Sequence, residues 1–305
     1  MSLAAGPARV TGAFIRTMRP QHWAKNFLIF VPLLTAHEYE DMTAVLQALT
    51  AFVCFGFCAS AGYFINDLWD LDADRNHAIK RYRPLASGAL SIAGGITGAI
   101  GLAALSLLLA LAFLPTPFIG VLALYFALTI TYSFYLKRIF TADVLALSVL
   151  FMLRVLAGAV AISVELSSWL LAFCIFLFIS LAYLKRYIEL RKMNGSSDAV
   201  HGRGYVGSDI EAMFTLGVAN ATASIVVLAL FINSPEVERE YVSVNVLWVL
   251  CLIMIFWTNR IWIAARRGLV DEDPVEFALH DKASHLAVLA SLAVVLFARY
   301  VTLPF

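Results

Sequence analysis

Long apolar runs dominate this sequence and limit what it can fold into. A run of about 20 apolar residues can cross the hydrocarbon core of a membrane as an α-helix. Only 14% of the residues are charged, whereas an average soluble domain has roughly 25%. The pattern therefore predicts an all-α, polytopic membrane protein, a bundle of nine transmembrane helices. The runs cover approximately residues 22–37, 43–67, 92–114, 117–136, 141–163, 167–187, 211–233, 244–265 and 283–303.

Positive charge is concentrated in alternate segments between these runs. Because cytoplasmic loops of membrane proteins are enriched in Lys and Arg, we expect the N-terminus inside and the C-terminus outside the cytoplasmic (inner) membrane of the cell. Residues 1–305 would then form a single transmembrane domain. Its long polar loops, 68–91, 137–141, 185–210 and 265–282, would face the cytoplasm.

Net charge and cysteine positions limit which partners and cross-links the sequence predicts. The net charge is +1 and gives no indication of a nucleic-acid partner. All four cysteines lie inside apolar runs, where a free Cys behaves as a small hydrophobic residue. The spacing of these cysteines predicts neither a disulfide nor a metal site.

One short segment after the second run is far more polar than its surroundings. Asp67, Asp70 and Asp74 follow one another at spacings of three and four residues, which places them on one face if the segment is helical. Three carboxylates on one face repel one another, and a bound divalent cation relieves that repulsion. A solvated, charged helix end is the alternative interpretation.

The residue types in this segment favour Mg²⁺. This ion is held by one or two carboxylates together with water and substrate phosphate oxygens. A basic run follows closely, and its cations could bind a diphosphate or act only as signals of membrane orientation. No EF-hand spacing is present, which disfavours calcium storage. The expected metal ligands are Asn66, Asp67, Asp70 and Asp74, and the expected diphosphate-binding cations are Lys80, Arg81 and Arg83.

Further candidates lie in the inner loop after the sixth run. Lys185 and Arg186 could contact a phosphate while Glu189 binds a metal or a sugar hydroxyl. Alternatively, Lys185 and Glu189 could simply pair on a helix surface. Arg203, in a Gly-Arg-Gly-Tyr sequence, offers another guanidinium for a phosphate.

Arg154 lies inside the fifth run. An ionised residue at membrane depth indicates a functional site by default, and its partner would be a phosphate or an inner carboxylate such as Asp143. Tyr132 is a candidate substrate contact, although a position in the interfacial aromatic belt explains it as well.

A structural role is favoured for the acidic cluster in the last inner loop. Asp273 can cap a helix that has Pro274 at its first position and Glu276 at its third. We therefore expect a short helix to begin there.

These features make the chain similar to the UbiA-type intramembrane transferases. Members of that family are nine-helix bundles with an NDxxDxxxD segment after the second span, which here is Asn66 to Asp74. The aromatic prenyltransferases of the family have a second DxxxD motif after the sixth span. Residues 185–190 read KRYIEL instead, so the resemblance disfavours prenyl transfer to an aromatic ring.

Several further motifs resemble the branch of this family typified by decaprenyl-phosphate phosphoribosyltransferase. They occur in the same order, at residues 19–26 (RPQHWAKN), 80–84 (KRYRP), 154–158 (RVLAG), 185–190 (KRYIEL), 272–274 (EDP) and 277–281 (FALHD). The resemblance implies a Mg²⁺-dependent phosphoribosyltransferase and a possible homo-oligomer, a trimer.

The implied donor is phosphoribosyl diphosphate and the implied acceptor is a polyprenyl phosphate lipid. Asp67, Asp70 and Asp74 would be catalytic through the metal, and cations would stabilise the diphosphate as it leaves. One alternative is a prenyltransferase that moves a prenyl group from a prenyl diphosphate to an aromatic or other acceptor. A transporter or Mg²⁺ channel is another. The remaining substrate-binding candidates are Lys25, Asn26, Tyr132, Lys137, Arg154, Lys185, Arg186, Glu189 and Arg203.

Overall fold

The architecture is that of a helical membrane protein. The structure is a computed structural model that describes residues 7–192, 204–270 and 273–302, without the side chains of residues 7–9 and 236. Helices make up the regular secondary structure of these residues, and the predicted all-α fold is confirmed. The chain divides into two compact units, Met1–Tyr135 with Leu153–Leu166, and Leu136–Met152 with Ser167–Phe305. That the whole chain is one domain stays a prediction.

The first unit is organised around a long helix that pairs with the next membrane-length helix. Its helices are α1 (Pro7–Met18), α2 (Val31–Thr35), α3 (Met42–Trp69), α4 (Leu71–Asn76), α5 (Ile92–Phe113) and α6 (Thr116–Phe134), with 3₁₀ turns at Pro20–Phe30, Glu38–Glu40 and Lys80–Tyr82. The buried side chains of Phe64, Leu85 and Leu102 fill the core between α3 and α5. Gly98 permits this close packing, since a Cβ there would lie 2.7 Å from the Phe64 ring.

The second unit contains the start of α7 (Ala142–Ala161) and every later helix. These are α8 (Ser168–Lys192), α9 (Ile210–Ile232), α10 (Pro235–Glu240), α11 (Trp248–Arg267), α12 (Pro274–His280) and α13 (Lys282–Tyr300). Trp262 of α11 is buried against Tyr183 of α8 and Gly217 of α9, and its Nε1 donates a hydrogen bond to Ser180 at 3.2 Å.

The start of α13 is fixed by a charged cap. The Asp281 carboxylate accepts hydrogen bonds from the Ser284 backbone at 3.0 Å and from Arg260 at 2.5 Å. Burial alone would raise the pKa of Asp281, but the hydrogen bonds from Arg260 and Ser284 outweigh it and hold the pKa below its ordinary value.

Eight helices in the described residues are long and apolar enough to cross a membrane, and they correspond to the second through ninth predicted runs. The first predicted run, 22–37, is instead the 3₁₀ helix Pro20–Phe30 followed by α2. A 3₁₀ helix rises about 2.0 Å per residue, so residues 20–35 laid end to end measure about 30 Å, roughly the hydrocarbon thickness. Eight of the nine predicted spans are thus single α-helices, and the first is a 3₁₀ helix followed by a short α-helix.

Two loop predictions are also refined. Helix α8 continues to Lys192, so residues 185–192, predicted to be part of the loop, are helical. The predicted cap at Asp273 is confirmed, because its carboxylate accepts a hydrogen bond from the Val275 backbone at 3.0 Å and Pro274 begins α12.

Candidate functional site

The aspartate segment lies at the end of α3, where the helix breaks. Helix α3 ends at Trp69, Asp70 joins it to α4, and the Asp70 N–H donates to the carbonyl of Asn66 at 2.9 Å. The continuous helix on which a shared face of three aspartates depended is thus interrupted at Asp70. Asp67 and Asp74 are each 2% exposed, whereas Asp70 is half-buried.

Arg83 joins the two buried carboxylates. Its Nη1 lies 3.2 Å from Oδ1 of Asp67 and 2.6 Å from Oδ2 of Asp74. Leu85, only 1% exposed in the core of the first unit, anchors the chain close to this arginine. The arrangement brings Asp67 and Asp74 together around one cation.

Arg19 is a second cation in this cluster, and it was not among the predicted site residues. Its Nη2 lies 2.5 Å from Oδ1 of Asp67, and its guanidinium lies over the Tyr63 ring at 4.9 Å from the centroid. The backbone of Arg19 is left-handed, with φ 53° and ψ 59°, a conformation that costs a non-Gly residue about 1–2 kcal/mol. Its place at the start of the 19–26 motif was the available signal, but a sequence does not disclose a left-handed turn.

The donor set at this cluster fits Mg²⁺. Asn66, Asp67, Asp70 and Asp74 offer only oxygen ligands, and the two buried carboxylates already converge on a positive group. In the described residues no three His, Cys, Asp or Glu side chains lie close enough together to hold a metal ion, so Asp67, Asp70 and Asp74 do not form a three-carboxylate group. Mg²⁺ is commonly held by one or two carboxylates together with water and phosphate oxygens.

The cations of the predicted basic run, residues 80–83, differ in solvent exposure. Lys80 and Arg81 are exposed, and Arg81 donates a hydrogen bond to the Tyr82 hydroxyl at 2.8 Å. Arg83 is held by the carboxylates. Lys80 and Arg81 are thus the cations of this run that can reach a ligand from solvent.

Arg154 forms a separate buried cluster in the first unit. It is 7% exposed and donates hydrogen bonds to Oδ1 of Asn26 at 3.0 Å and to the Tyr125 hydroxyl at 2.9 Å. Both of these partners are neutral, so they orient the guanidinium without neutralising it. Tyr125 was not predicted, although a tyrosine in the middle of an apolar run is a signal that its hydroxyl needs a partner.

The second unit has its own buried charge cluster. The Arg186 Nε lies 2.5 Å from Oδ2 of Asp143, and Arg186 also pairs with Glu189. Lys185 pairs with Asp273 at 3.0 Å. The alternative of a Lys185–Glu189 pair is therefore not realised. Asp143, considered as a partner of Arg154, is bound by Arg186.

The remaining candidates occupy different surroundings. Lys25, Tyr132 and Lys137 are half-buried, and Arg203 lies outside the described residues. Tyr205, two residues further on, is buried, and its hydroxyl accepts a hydrogen bond from the Thr141 backbone at 3.0 Å. Burial raises the pKa of the Tyr205 phenol to about 12, although the bond from Thr141 lowers it. Tyr205 is thus a neutral structural anchor.

A polytopic helical bundle in which α3, the first membrane-length α-helix, ends in an NDxxDxxxD segment defines a class, the intramembrane transferases. The UbiA prenyltransferase family model matches residues 27–267. The chain belongs to this family.

Three curated relatives match most of this chain. An uncharacterized protein, y4nM, of Sinorhizobium fredii is 40% identical over 89% of this chain, and the chain spans about half of it, 53%. Nodulation protein NoeC of Azorhizobium caulinodans is 34% identical over 94% of this chain and 93% of its own length. Decaprenyl-phosphate phosphoribosyltransferase of Mycobacterium tuberculosis is 30% identical over 95% of each chain.

The fold also matches a solved structure. A UbiA homolog from Archaeoglobus fulgidus bound to GPP and Mg²⁺ superposes with a TM-score of 0.67, covering 93% of this chain and 99% of that one. The identity is 18%, so this likeness shows the fold alone.

Proposed function

We propose that this protein transfers the 5-phosphoribosyl group of phosphoribosyl diphosphate to a polyprenyl phosphate and releases diphosphate. The observation that carries the proposal is the pair of buried carboxylates, Asp67 and Asp74, which converge on a cation at the end of α3. Arg19 and Arg83 compensate these two charges, which leaves the nearby Asp70 carboxylate for a metal–diphosphate group.

Each residue of the cluster has a distinct task. Asp70 is half-buried, and its carboxylate has no hydrogen bond or ion pair with the described residues, so it is ready to bind a metal. Arg19 and Arg83 orient the carboxylates of Asp67 and Asp74 through ion pairs. Bound Mg²⁺ would supply positive charge to the diphosphate leaving group.

The transfer itself needs little proton chemistry. An oxygen of the acceptor phosphate attacks C1 of the ribose while the bond from C1 to the diphosphate oxygen breaks, and the diphosphate leaves with the electron pair. A phosphate is already anionic at neutral pH, so no strong general base is required. Lys80 and Arg81, which are exposed and precede Arg83 by three and two residues, would stabilise the departing charge.

The residues at 185–190 support phosphoribosyl over prenyl transfer. Prenyltransferases that resemble this chain have two aspartates there, whereas here Arg186 fills that position and is paired with Asp143 and Glu189. A relative named decaprenyl-phosphate phosphoribosyltransferase covers 95% of the chain, which also favours this substrate pair.

The proposed site faces the cytoplasm, where soluble phosphorylated sugars are available. The excess of Lys and Arg in the inner loops favours that orientation in the cytoplasmic membrane. A homo-oligomer, a trimer by family resemblance, stays a prediction.

A reconstituted assay tests the proposal. Purified protein is incubated with Mg²⁺, radiolabelled phosphoribosyl diphosphate and polyprenyl phosphates of several lengths, and the lipid fraction is counted. We expect a labelled lipid product that disappears when EDTA replaces Mg²⁺. A parallel incubation replaces the donor with labelled prenyl diphosphate and the acceptor with an aromatic acid. Product only in that second incubation would overturn the proposal.

A further inference from the structure

A groove on the second unit is not used by the proposed transfer. It is a cavity of about 410 Å³ whose walls are formed by α9 and α11. Phe214, Val218, Ile225 and Ile255 are among its apolar lining residues. The two helices run antiparallel here, since Phe214 near the start of α9 and Arg266 near the end of α11 lie at the same end of the groove.

That end of the groove is positively charged. Arg266 is exposed, lines the groove and lies over the Phe214 ring with its guanidinium carbon 5.4 Å from the centroid. The contact orients the guanidinium by a cation–π interaction and leaves its charge available. An anionic group is the complementary ligand.

A second polar group lies deeper in the same groove. Asn259 is exposed there, and its amide makes no hydrogen bond with the described residues. The hydroxyls of Thr222 and Thr258 differ, because they donate to carbonyls of their own helices at 3.1 Å and 2.8 Å. An amide at membrane depth without a partner is costly, so Asn259 calls for a ligand with hydrogen-bonding atoms.

The length of the groove fits one lipid leaflet. From Ile255 to Arg266 the groove follows α11 for about 16 Å at 1.5 Å per residue. This is roughly half of the 30 Å hydrocarbon core. A chain that enters beside Arg266 would therefore end near the middle of the bilayer.

We propose that this groove binds an anionic glycerophospholipid, with the phosphate on Arg266, a glycerol ester on Asn259 and one acyl chain along the apolar wall. The polar group at Asn259 favours this lipid over a polyprenyl phosphate, because a polyprenyl chain has no hydrogen-bonding atoms below its phosphate. The site is separate from the aspartate cluster and does not depend on the proposed transfer.

Lipid retention measured by native mass spectrometry tests this inference. The protein is exchanged into detergent, supplied with equal amounts of phosphatidylglycerol and phosphatidylcholine, and compared with three variants. Arg266→Gln removes the anion partner, Asn259→Leu removes the amide, and Arg267→Gln is the matched control, because Arg267 is exposed but does not line the groove. We expect the wild type and Arg267→Gln to retain phosphatidylglycerol preferentially. We expect about a tenfold loss of that retention in Arg266→Gln and a smaller loss in Asn259→Leu.

Three results would overturn the inference. One is equal retention of the two lipids by the wild type, and another is equal loss in Arg266→Gln and Arg267→Gln. The third is displacement of phosphatidylglycerol from the groove by polyprenyl phosphate, which would make the substrate the occupant. A cross-link between copies through Ile255→Cys in membranes, absent from the wild type with its buried cysteines, would assign the groove to a second copy of the chain instead.

Discussion

The Arg186–Asp143 pair gives the sharpest stability prediction. The side chains of Arg186 and Asp143 are 1% and 0% exposed, so solvent screens their interaction little. Arg186→Met keeps an apolar side chain of similar length but leaves a buried carboxylate uncompensated. Breaking such a pair from one side costs about 3–5 kcal/mol, which corresponds to about 100-fold or more in the folding equilibrium.

A double variant removes both charges of the pair and completes a double-mutant cycle. Arg186→Met combined with Asp143→Leu leaves no buried charge at this position, and replacing a buried pair by apolar residues is often neutral. We therefore expect the double variant to be more stable than Arg186→Met alone. Glu189, 31% exposed, remains solvated in each variant.

Unfolding by SDS in mixed micelles, followed by circular dichroism, measures these differences. Arg267→Met, at an exposed arginine of the same unit, is the control and should change stability by less than about 0.5 kcal/mol. The reasoning is refuted if Arg186→Met is as stable as this control, or if the double variant is no better than the single one. A raised KM for the donor with unchanged stability would instead make Arg186 a substrate contact.

Three further predictions concern the backbone and pH. At Arg19, whose φ is 53°, the Gly variant should be about 1 kcal/mol more stable than the Ala variant, because both lose the ion pair but only Gly relieves the backbone strain. Thermal unfolding of the two variants measures the difference, and a more stable Ala variant would contradict the prediction. Gly158→Ala should prevent stable folding, because its Cβ would lie 2.0 Å from the carbonyl oxygen of Ile29, whereas Gly101→Ala meets nothing within 4 Å; equal expression and melting of the two variants would contradict the packing. The folded-state pKa of Asp281 is lowered. Its contribution to the stability of the fold is therefore present at pH values above the ordinary pKa of about 3.9 and is lost as the pH falls through the folded-state pKa. A melting temperature with the same acid dependence in Asp281→Asn as in the wild type would contradict this.

The helical membrane fold was predictable because apolar run length specifies membrane helices directly. The exception, residues 22–37, is instructive: Pro32 removes a backbone donor, and the chain covers the distance with a 3₁₀ helix of greater rise per residue. A window of hydropathy does not distinguish these two helix types.

The aspartate segment was predictable in composition but not in shape. The spacing of Asp67, Asp70 and Asp74 fits a continuous helix, and nothing in the sequence indicates the break at Asp70. Tertiary contacts shape the site instead. Arg83 binds both Asp67 and Asp74, and Arg19 binds Asp67.

The pairings of the second unit were the least predictable. Sequence spacing allowed a local Lys185–Glu189 pair, whereas Lys185 binds Asp273 and Arg186 binds Asp143, both distant along the chain. Local i,i+4 pairs contribute only about 0.2–0.5 kcal/mol, so a buried long-range carboxylate readily overrides them.

The most direct test of the proposed metal site is the transfer rate of Asp70→Asn against Asp72→Asn. Asp70 is half-buried, and its carboxylate has no partner among the described residues. Asp72, two residues further on, is exposed, with a side chain that is 95% accessible, so neither change breaks a buried ion pair. Labelled phosphoribosyl transfer is measured across a Mg²⁺ titration, and gel filtration confirms folding. The account predicts a loss of about 100-fold or more in Asp70→Asn and a rate close to wild type in Asp72→Asn. Equal rates in the two folded variants would contradict it.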